Sequence, residues 1–358
     1  MKVDVRSQTR EELERQFALW EQPAYRLEQF LHWLYDWRAA TWDEMTNLPK
    51  ALREKLREAY ELHWPELARK QGAQDTTQKF LWRLADGALI ESVLIPANPS
   101  LYGEPSDRRT LCVSTQVGCA YGCKFCASGL EGFKRNLEPY EIVNQVLAIE
   151  RDGGKVDERV VNNLVIMGMG EPLANYDNLL KALRILNAPW AGKIGARKIT
   201  ISTSGLAPQI RRLADDPAQF RLAISLHGAT DETRAKIMPV NKKYPLKDLT
   251  AACEYYQEKK GRMITLEYIL IAGVNDSLNQ AQPLAALARR LRAKVNLIPY
   301  NKVEDLPWER PEEAAQEAFL TALEAEGISA TLRREKGHEI DAACGQLRLK
   351  TERELAGR

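Results

Sequence analysis

The chain has 358 residues, 28% of them charged and 44% hydrophobic, with a formal net charge of +2 at pH 7. Its length is enough for one large domain and a small one, and its charge balance neither requires nor excludes a nucleic-acid partner, so any basic surface must be local. Because its start lacks an apolar signal segment and no run of about 18 apolar residues occurs, we expect neither secretion nor a membrane span, and a cytoplasmic location without a membrane partner.

Residues 1–70 are predicted to form a small helical accessory domain. Between residues 10 and 64, apolar side chains recur at helical spacing in three short segments, while charged residues fill the outer faces. Trp33, Trp37 and Trp42 could form a platform that stacks on bases, but an aromatic stripe at helical spacing is more often part of a core. We therefore interpret these segments as a packed helical module.

Residues 71–109 are predicted to form a β-hairpin extension followed by a linker. Apolar residues alternate on both sides of Asp86-Gly87, a dipeptide typical of tight turns. Glu91 shares a face with the apolar residues of the returning strand, where a buried carboxylate is costly unless it is paired or functional. An edge position that exposes Glu91 to solvent is the alternative. Residues 96–109 contain several prolines, which favours a flexible connection.

From residue 110 onward, predicted strands and helices alternate. The strands are apolar, β-branched runs at residues 110–116, 160–167, 197–203, 220–226, 263–271 and 293–298. The helices between them are predicted at residues 138–151, 176–188, 206–214, 246–260 and 279–291. Helix 312–326 and strand 328–334 follow, so we expect one domain over 110–350 and a tail at 351–358. This pattern indicates an α/β fold with a parallel sheet, either an open partial barrel or a closed eightfold barrel.

Three of the six cysteines lie in one short loop. Cys119, Cys123 and Cys126 have the spacing CxxxCxxC, with Gly118 before them and Gly122 between them, so a tight loop can bring the thiols together. A structural zinc site normally has a fourth ligand, and none lies nearby in the sequence. A 4Fe-4S cluster held by three thiolates fits better, since its fourth iron can chelate a methionine-type cofactor. Three unligated core cysteines are the alternative.

Small polar residues and glycines follow the predicted strands, at the sheet edge where ligands bind in open α/β folds. Glu171, after a glycine-rich turn, can accept hydrogen bonds from an ammonium group. The other groups at strand ends suit a ribose and an adenine, although a single histidine at a strand end is more often structural. The candidate cofactor-binding residues are Gly170, Glu171, Ser202, Ser225, Leu226, His227 and Asn301.

Two further cysteines are candidates for thiol chemistry. Cys112 lies on the first predicted strand of the alternating region, seven residues before the cluster loop, and Cys344 lies in a loop of small residues that leaves a thiol accessible. Cys253 lies in a predicted helix beside alanines, and we interpret it as core. Two buried structural thiols are the alternative for Cys112 and Cys344.

Together these motifs resemble the RlmN/Cfr group of radical S-adenosylmethionine enzymes, which are adenine methyltransferases acting on RNA. The resemblance extends from the N-terminal helices to the last cysteine and is carried by residues 118–128, 132–137, 167–172, 225–227 and 341–347. It implies a partial (βα)6 barrel, one 4Fe-4S cluster on the three loop cysteines, and S-adenosylmethionine bound by the strand-end residues. It also implies that the helical accessory domain helps to hold folded RNA.

The resemblance implies a radical route to an unreactive carbon of adenine. One S-adenosylmethionine methylates Cys344, and a second is cleaved to a radical that takes hydrogen from that S-methyl group. The resulting methylene adds to the base and gives a protein-RNA crosslink. Cys112 resolves the crosslink by forming a transient disulfide with Cys344, and Glu91 acts as the proton acceptor. The base must leave its stack to reach Cys344.

The implied substrate is carbon 2 of an adenosine in 23S rRNA, and tRNA is open as a second substrate. One alternative is a methyltransferase that modifies carbon 8, as Cfr does. Another is a non-enzymatic iron-sulfur protein that binds RNA or acts as a sensor. An electron donor such as flavodoxin is the expected protein partner. Local basic pairs are candidates for RNA contact, and the sequence does not choose among Lys134-Arg135, Arg197-Lys198, Arg211-Arg212, Lys242-Lys243 and Arg333-Arg334.

Overall fold

The computed structural model describes residues 2–72, 77–97, 106–130, 132–153, 159–303, 306–333 and 346–356. The strands of these segments are β1 Val3–Asp4, β2 Tyr60–Glu61, β3 Glu66–Gly72, β4 Gln78–Arg83, β5 Leu89–Pro96, β6 Arg109–Cys112, β7 Gln116–Gly118, β8 Phe133–Asn136, β9 Asn163–Ile166, β10 Ile199–Thr203, β11 Arg221–Ser225, β12 Thr265–Leu270, β13 Lys294–Pro299 and β14 Ala330–Leu332.

The helices are α1 Arg10–Leu19, α2 Ala24–Tyr35, α3 Lys50–Ala59, α4 Pro139–Gly153, α5 Tyr176–Asn187, α6 Ala207–Asp215, α7 Asp231–Ile237, α8 Leu246–Lys260, α9 Leu278–Arg290, α10 Glu313–Ala325 and α11 Gln346–Ala356. Among these described helices, none has the length and apolar content needed to cross a bilayer.

The centre of the molecule is a ten-stranded sheet in the order β14-β13-β12-β11-β10-β9-β6-β5-β4-β3. The strands from β14 to β6 run parallel to one another, and β5, β4 and β3 extend the sheet in antiparallel fashion. Within the described residues β14 and β3 are the two ends of this sheet, so it stays open. The α/β fold with a partial barrel is confirmed, and the closed eightfold barrel is wrong.

The predicted first strand of the barrel is interrupted. Strand β6 ends at Cys112, and the chain then leaves the sheet so that β7 pairs with β8 in a separate two-stranded ribbon. At the break, the backbone N–H groups of Thr115 and Gln116 both donate to the carbonyl of Met169, at 2.8 and 3.2 Å. The segment after β6 therefore clasps the loop after β9 instead of continuing the ladder.

Other predicted elements agree with the structure to within a few residues at each end, but the elements β1, β2, β3, β8, α7 and α11 were missed. Strand β3 is a polar, largely exposed edge strand, which has no alternating apolar pattern to reveal it. The short strand β8 and the helices α7 and α11 were also not predicted, because their sequences are highly charged. Helix α11 is significant because it begins two residues after Cys344 in the chain.

The N-terminal helices form a packed module that joins the barrel. Helix α1 begins with a capping box in which the Thr9 side chain accepts from the N–H of Glu12, and the Glu12 carboxylate accepts from the N–H of Thr9. Trp42 is buried and stacks on Phe30 at 6.4 Å, so this aromatic residue belongs to a core. The Glu12 carboxylate also pairs with Lys181 of α5 at 2.9 Å.

Candidate active site

A cavity of about 340 Å³ lies at the carboxyl ends of the parallel strands. We call it the carboxyl-end cavity. The predicted site residues that line it are Cys112, Cys119, Cys123, Cys126, Gly170, Glu171, Ser202, Ser225, His227 and Asn301. The structure therefore brings together residues that are up to 189 positions apart in the chain, from Cys112 to Asn301.

The cysteine loop, residues 119–126, has a shape that depends on glycine. Gly118 has φ +76°, and a Cβ atom there would lie 1.9 Å from the carbonyl oxygen of Gly132. This close approach lets the Cys119 N–H donate to the same carbonyl at 3.1 Å, and the Lys124 N–H donates to Ile237 at 2.9 Å. The loop is thus held from both sides, by Gly132 just before β8 and by Ile237 at the end of α7, and its three thiols line the cavity.

Burial controls the electrostatics of these thiols. It raises the pKa of Cys119 to about 11 and the pKa of Cys123 well above its ordinary value, and the neighbouring thiols and Glu171 act in the same direction. The Arg234 guanidinium partly opposes this effect on the pKa of Cys123. Thiolates in such surroundings need a compensating cationic centre, as iron provides.

The donor set fits a 4Fe-4S cluster by its chemistry: three soft sulfur ligands face one cavity, and a cluster iron with no protein ligand could bind the cofactor there. Among the described residues, no three His, Cys, Asp or Glu side chains are arranged to hold a single metal ion. The fit therefore rests on the three thiols and their shared cavity.

Glu171 is buried, and its carboxylate is already held by three donors. Oε1 accepts from the Leu173 N–H at 2.9 Å and from the Thr203 hydroxyl at 2.8 Å, and Oε2 accepts from the Ser204 N–H at 2.7 Å. Burial raises the pKa of Glu171, and these hydrogen bonds oppose the rise. Carboxylate oxygens accept more than one hydrogen bond, so this fixed group can also receive an ammonium from the cavity.

Gln116 joins the two loops that border the cavity, and sequence reasoning missed it. Its Oε1 atom accepts from the Ala120 N–H at 3.2 Å and from the Glu171 N–H at 2.9 Å. Its Nε2 atom donates to Asn136 at 2.8 Å. A Cβ atom on Gly170 would lie 2.6 Å from the Cβ atom of Gln116, so this packing requires glycine. A glutamine at the end of the apolar run predicted as strand 110–116 was the available signal.

His227 connects the end of β11 to the next strand. It has φ +55°, a value that a residue with a side chain seldom adopts, and its Nδ1 atom accepts from the Ile269 N–H at 3.0 Å. Burial and the nearby Arg234 lower the pKa of His227 to about 3. The ring is therefore neutral at pH 7 with its proton on Nε2, a fixed donor. Phe125 of the cysteine loop meets it edge-on at 5.0 Å.

The two serines and Leu226 differ in placement. The hydroxyls of Ser202 and Ser225 are 3.2 Å apart on adjacent strands and both line the cavity. Leu226 is buried, its N–H donates to the backbone carbonyl of Glu267 at 3.0 Å and its own carbonyl accepts from Arg234 at 3.2 Å. It is not among the residues that line the cavity.

The two candidate reacting thiols also differ. Cys112 is buried at the end of β6, where it is opposite Val93 on one side and Val165 on the other, and it lines the carboxyl-end cavity with the cluster thiols. Cys344 lies outside the described residues.

Glu91 is buried in the sheet beside the C-terminal helix. Its Oε2 atom pairs with the Lys79 ammonium at 3.0 Å, and both side chains are almost fully buried. Its Oε1 atom accepts from the Arg348 N–H in the first turn of α11 at 2.6 Å. Glu91 is not among the residues lining the carboxyl-end cavity, although Val93 on the same face of β5 is. The expected buried, paired carboxylate is present, and the exposed alternative is wrong.

Comparison with known proteins places this site in a family. Residues 113–280 match the radical SAM superfamily model, and residues 3–62 match the model of the ribosomal RNA large subunit methyltransferase N-terminal domain. A protein of Opitutus terrae named "Probable dual-specificity RNA methyltransferase RlmN 3" is 56% identical over 339 residues, covering 93% of this chain and 91% of the relative. This chain belongs to the RlmN family.

Other comparisons agree with this assignment. A relative from Akkermansia muciniphila, named "Probable dual-specificity RNA methyltransferase RlmN", is 54% identical and covers 93% of this chain and 92% of its own length. The crystal structure of a radical SAM methyltransferase from Sphaerobacter thermophilus is 43% identical, with a TM-score of 0.88, covering 96% of this chain and 98% of that one. This RlmN-family chain is therefore a radical SAM methyltransferase, an enzyme whose superfamily uses a 4Fe-4S cluster and S-adenosylmethionine.

Arg234 is a second residue of this RlmN site that sequence reasoning missed. It lies in α7, is fully buried, and donates to the carbonyl of Ser204, to the carbonyl of Leu226 at 3.2 Å and to the Asn241 side chain at 2.7 Å. It therefore ties together the chain segments that leave β10 and β11. A charged residue in a charged helix normally indicates an exposed position, so the sequence carried no signal for it.

Proposed function

We propose that this protein methylates carbon 2 of an adenosine in RNA, with 23S rRNA as its main substrate and tRNA as a second one. One observation carries the proposal: Cys112, a thiol outside the cluster set, lines the same cavity as the three cluster cysteines. An iron-sulfur protein that acts only as a sensor needs no additional thiol in the cavity of its cluster. The names of the relatives support RNA as the substrate.

The chemistry explains why these groups are needed. Carbon 2 of adenine carries an unreactive C–H bond and is a poor nucleophile, so polar methyl transfer does not reach it. When bound, the cluster and S-adenosylmethionine supply a radical that abstracts hydrogen from a methyl group. Glu171, held by three donors, receives the ammonium of S-adenosylmethionine. Ser202, Ser225, His227 and Asn301, which line the same cavity, would bind its ribose and adenine.

The two thiols outside the cluster set, Cys344 and Cys112, have different roles in the reaction. Cys344 accepts the methyl group that is later carried to the base as a methylene, which leaves its sulfur covalently attached to the RNA. The Cys112 thiolate then attacks the Cys344 sulfur, so an S–S bond forms and the S–C bond breaks. The electron pair of the S–C bond stays with the methylene carbon, which takes up a proton and becomes the methyl group of the released base. Each turnover uses two S-adenosylmethionine molecules, one as methyl donor and one as radical source. A reductant such as flavodoxin restores the dithiol and supplies electrons in the cytoplasm.

Glu91 is the proposed proton acceptor. Its support is positional, because it accepts from the N–H of Arg348, which is four residues after Cys344 in the chain, and it shares a face of β5 with Val93 at the cavity. Lys79 holds the other carboxylate oxygen at 3.0 Å and fixes the orientation of the group.

The test is nucleoside mass spectrometry. Anaerobically reconstituted protein is incubated with S-adenosylmethionine, a reductant and unmodified 23S rRNA or tRNA, and the RNA is digested to nucleosides. We expect 2-methyladenosine from both RNAs and 5′-deoxyadenosine in the supernatant, with neither RNA modified by the Cys344→Ala variant. 8-Methyladenosine would show that the regiochemistry is wrong, and reductive cleavage without any RNA product would show that the substrate is wrong.

A further inference from the structure

A second cavity, of about 700 Å³, opens at the amino ends of the parallel strands. We call it the amino-end cavity. It shares five lining residues with the carboxyl-end cavity: Ile95, Val165, Met167, Glu267 and Arg333. Because these side chains line both, the two cavities adjoin each other inside the partial barrel. The amino-end cavity therefore lies next to the proposed site of chemistry.

The rim of the amino-end cavity is cationic. Arg108, Arg221, Arg262 and Lys294 line it, and Glu267 is the only carboxylate among its described lining residues. Arg108 donates to the Thr110 hydroxyl at 3.2 Å, and Arg262 donates to Gln219 at 3.1 Å.

The four rim cations are not paired with carboxylates in the described part of the chain. Three of them, Arg108, Arg221 and Lys294, are exposed, and Arg262 is half-buried. Cations without carboxylate partners around an opening can bind the phosphates of a nucleic-acid backbone.

The depth of the lumen matches one nucleotide. Along β12, Thr265, Glu267 and Ile269 point to the same side, because side chains alternate along a strand. With a rise of about 3.3 Å per residue, Glu267 lies about 7 Å and Ile269 about 13 Å from the level of Thr265 at the rim. Ile269 is the residue whose N–H donates to His227. A nucleotide with its phosphates at the rim thus has its base at the level of Glu267.

Glu267 has the chemistry to receive that base. It is buried, and its Oε2 atom accepts from the Asn296 amide at 2.6 Å, which is its only side-chain hydrogen bond among the described residues. The exocyclic amino group of adenine is a hydrogen-bond donor that a carboxylate can accept. A buried carboxylate gains most from such a donor, because burial without hydrogen bonds is costly.

We propose that RNA enters this enzyme through the amino-end cavity, with Arg108, Arg221, Arg262 and Lys294 on the phosphates beside the target adenosine and Glu267 on its amino group. This inference rests on the proposed function and specifies the substrate-binding side of the same lumen. The flipped base would approach the cluster loop and Cys112 from the amino ends of the strands. S-adenosylmethionine would occupy the carboxyl-end cavity.

The first test removes two rim charges and measures RNA binding to the holoenzyme. Arg221→Gln/Lys294→Gln is compared with Lys236→Gln/Lys247→Gln, two exposed lysines near the carboxyl ends of the strands. The probe is a tRNA titrated at several salt concentrations. We expect the slope of log affinity against log salt to fall by about 2 in the rim variant, about 1 for each lost phosphate contact, and to stay unchanged in the control.

The outcomes separate the entry route from the proposed function. Methylation of RNA by the wild-type enzyme is measured first, and its absence would contradict the proposed function itself. If the wild type methylates RNA while the rim variant keeps the wild-type slope, the entry route is wrong. A reduced slope in the control variant alone would place the RNA at the carboxyl ends instead.

A second test addresses Glu267 with a substrate that lacks the amino group. RNA carrying purine riboside in place of the target adenosine should bind the wild-type holoenzyme about tenfold more weakly than normal RNA, the effect of a lost hydrogen bond to a charged group. In Glu267→Met, which is similar in size but has no acceptor oxygen, the two RNAs should bind with nearly equal affinity. Persistent discrimination in Glu267→Met, with the cluster retained, would show that Glu267 does not contact the base.

Discussion

The two ends of the parallel sheet differ in how their polar and charged side chains are held. At the carboxyl ends, the polar groups are already held by the protein: Glu171 has three donors, Gln116 accepts two backbone N–H groups, and His227 accepts one. At the amino ends, Arg221 and Lys294 are exposed and have no carboxylate partner among the described residues. The first arrangement suits a small ligand in one fixed pose, and the second suits a flexible polyanion.

This difference has an energetic consequence. Removing one member of the buried network leaves a donor or acceptor unsatisfied, which costs about 1–3 kcal/mol for each group. Removing an exposed cation changes stability by about 0.5 kcal/mol or less. Substitutions at the carboxyl ends should therefore affect folding and cofactor binding together, and substitutions at the amino ends should affect RNA binding alone.

The largest effect is expected at the cysteine loop. Changing Cys119, Cys123 or Cys126 to Ala should abolish cluster binding, because two thiolates cannot replace three in holding the cube. The measurement is iron content with visible absorption after anaerobic reconstitution. Cys253→Ala is the matched control: this buried thiol lies in the core of α8, and its loss should leave the cluster in place. A brown Cys123→Ala protein would contradict the assignment.

Gln116 should show the next largest effect. Gln116→Met keeps the size of the side chain but leaves the N–H groups of Ala120 and Glu171 without their acceptor, so we expect about 2–4 kcal/mol less stability and weaker retention of the cluster. Urea unfolding and iron content after gel filtration measure the two effects. Gln116→Glu retains an acceptor oxygen and should be milder than Gln116→Met. Equal losses in both variants would show that the shared acceptor oxygen does not join the loops, because only Gln116→Glu retains it.

His227 should give a pH-dependent effect. Its pKa is lowered from 6.5 to about 3 in the fold, so acid protonates the unfolded chain first. The stability that follows from this difference is present above pH 6.5 and is lost as the pH falls toward 3, by up to about 1.36 kcal/mol per pH unit.

The matched variant is His227→Asn, which keeps an acceptor near the Ile269 N–H and tolerates a positive φ. Urea midpoints between pH 7 and pH 4 should fall less steeply in His227→Asn than in the wild type. Parallel curves would show that His227 is not held neutral by the fold.

The smallest effect on stability is expected at the amino ends. Arg221→Gln should shift the free energy of unfolding by about 0.5 kcal/mol or less, because its side chain is exposed. Thermal unfolding of the holoenzyme measures this shift. A decrease of several kcal/mol in the free energy of unfolding would mean that the rim of the amino-end cavity is a structural network, like the polar groups at the carboxyl ends.

Much of the fold could be predicted because the barrel strands are short apolar runs bounded by clear helices. Residues at strand ends could also be predicted, since parallel strands bring their carboxyl ends to one edge. Glu91 was recognisable as a costly carboxylate, but its partner could not be found, because Lys79 lies diagonally across the β4-β5 ladder and only the register reveals it.

Other parts depend on contacts between distant segments. Arg234 looks like a surface residue of a charged helix, and its burial is set by carbonyls at the ends of two strands. The break after β6 follows from the clasp on Met169, which no local pattern contains. The adjacency of the two cavities is a property of the assembled barrel, so the sequence did not show that Glu267 lines both of them.

The central claim is that Cys112 is a reacting thiol and not a packing residue, and its most direct test is the fate of RNA in a Cys112→Ala enzyme. If Cys112 resolves the crosslink, transfer from Cys344 still occurs but release does not. We expect a protein-RNA adduct that survives a denaturing gel, disappears after nuclease digestion and is absent from Cys112→Ala/Cys344→Ala. A Cys112→Ala enzyme that turns over normally without an adduct would contradict it.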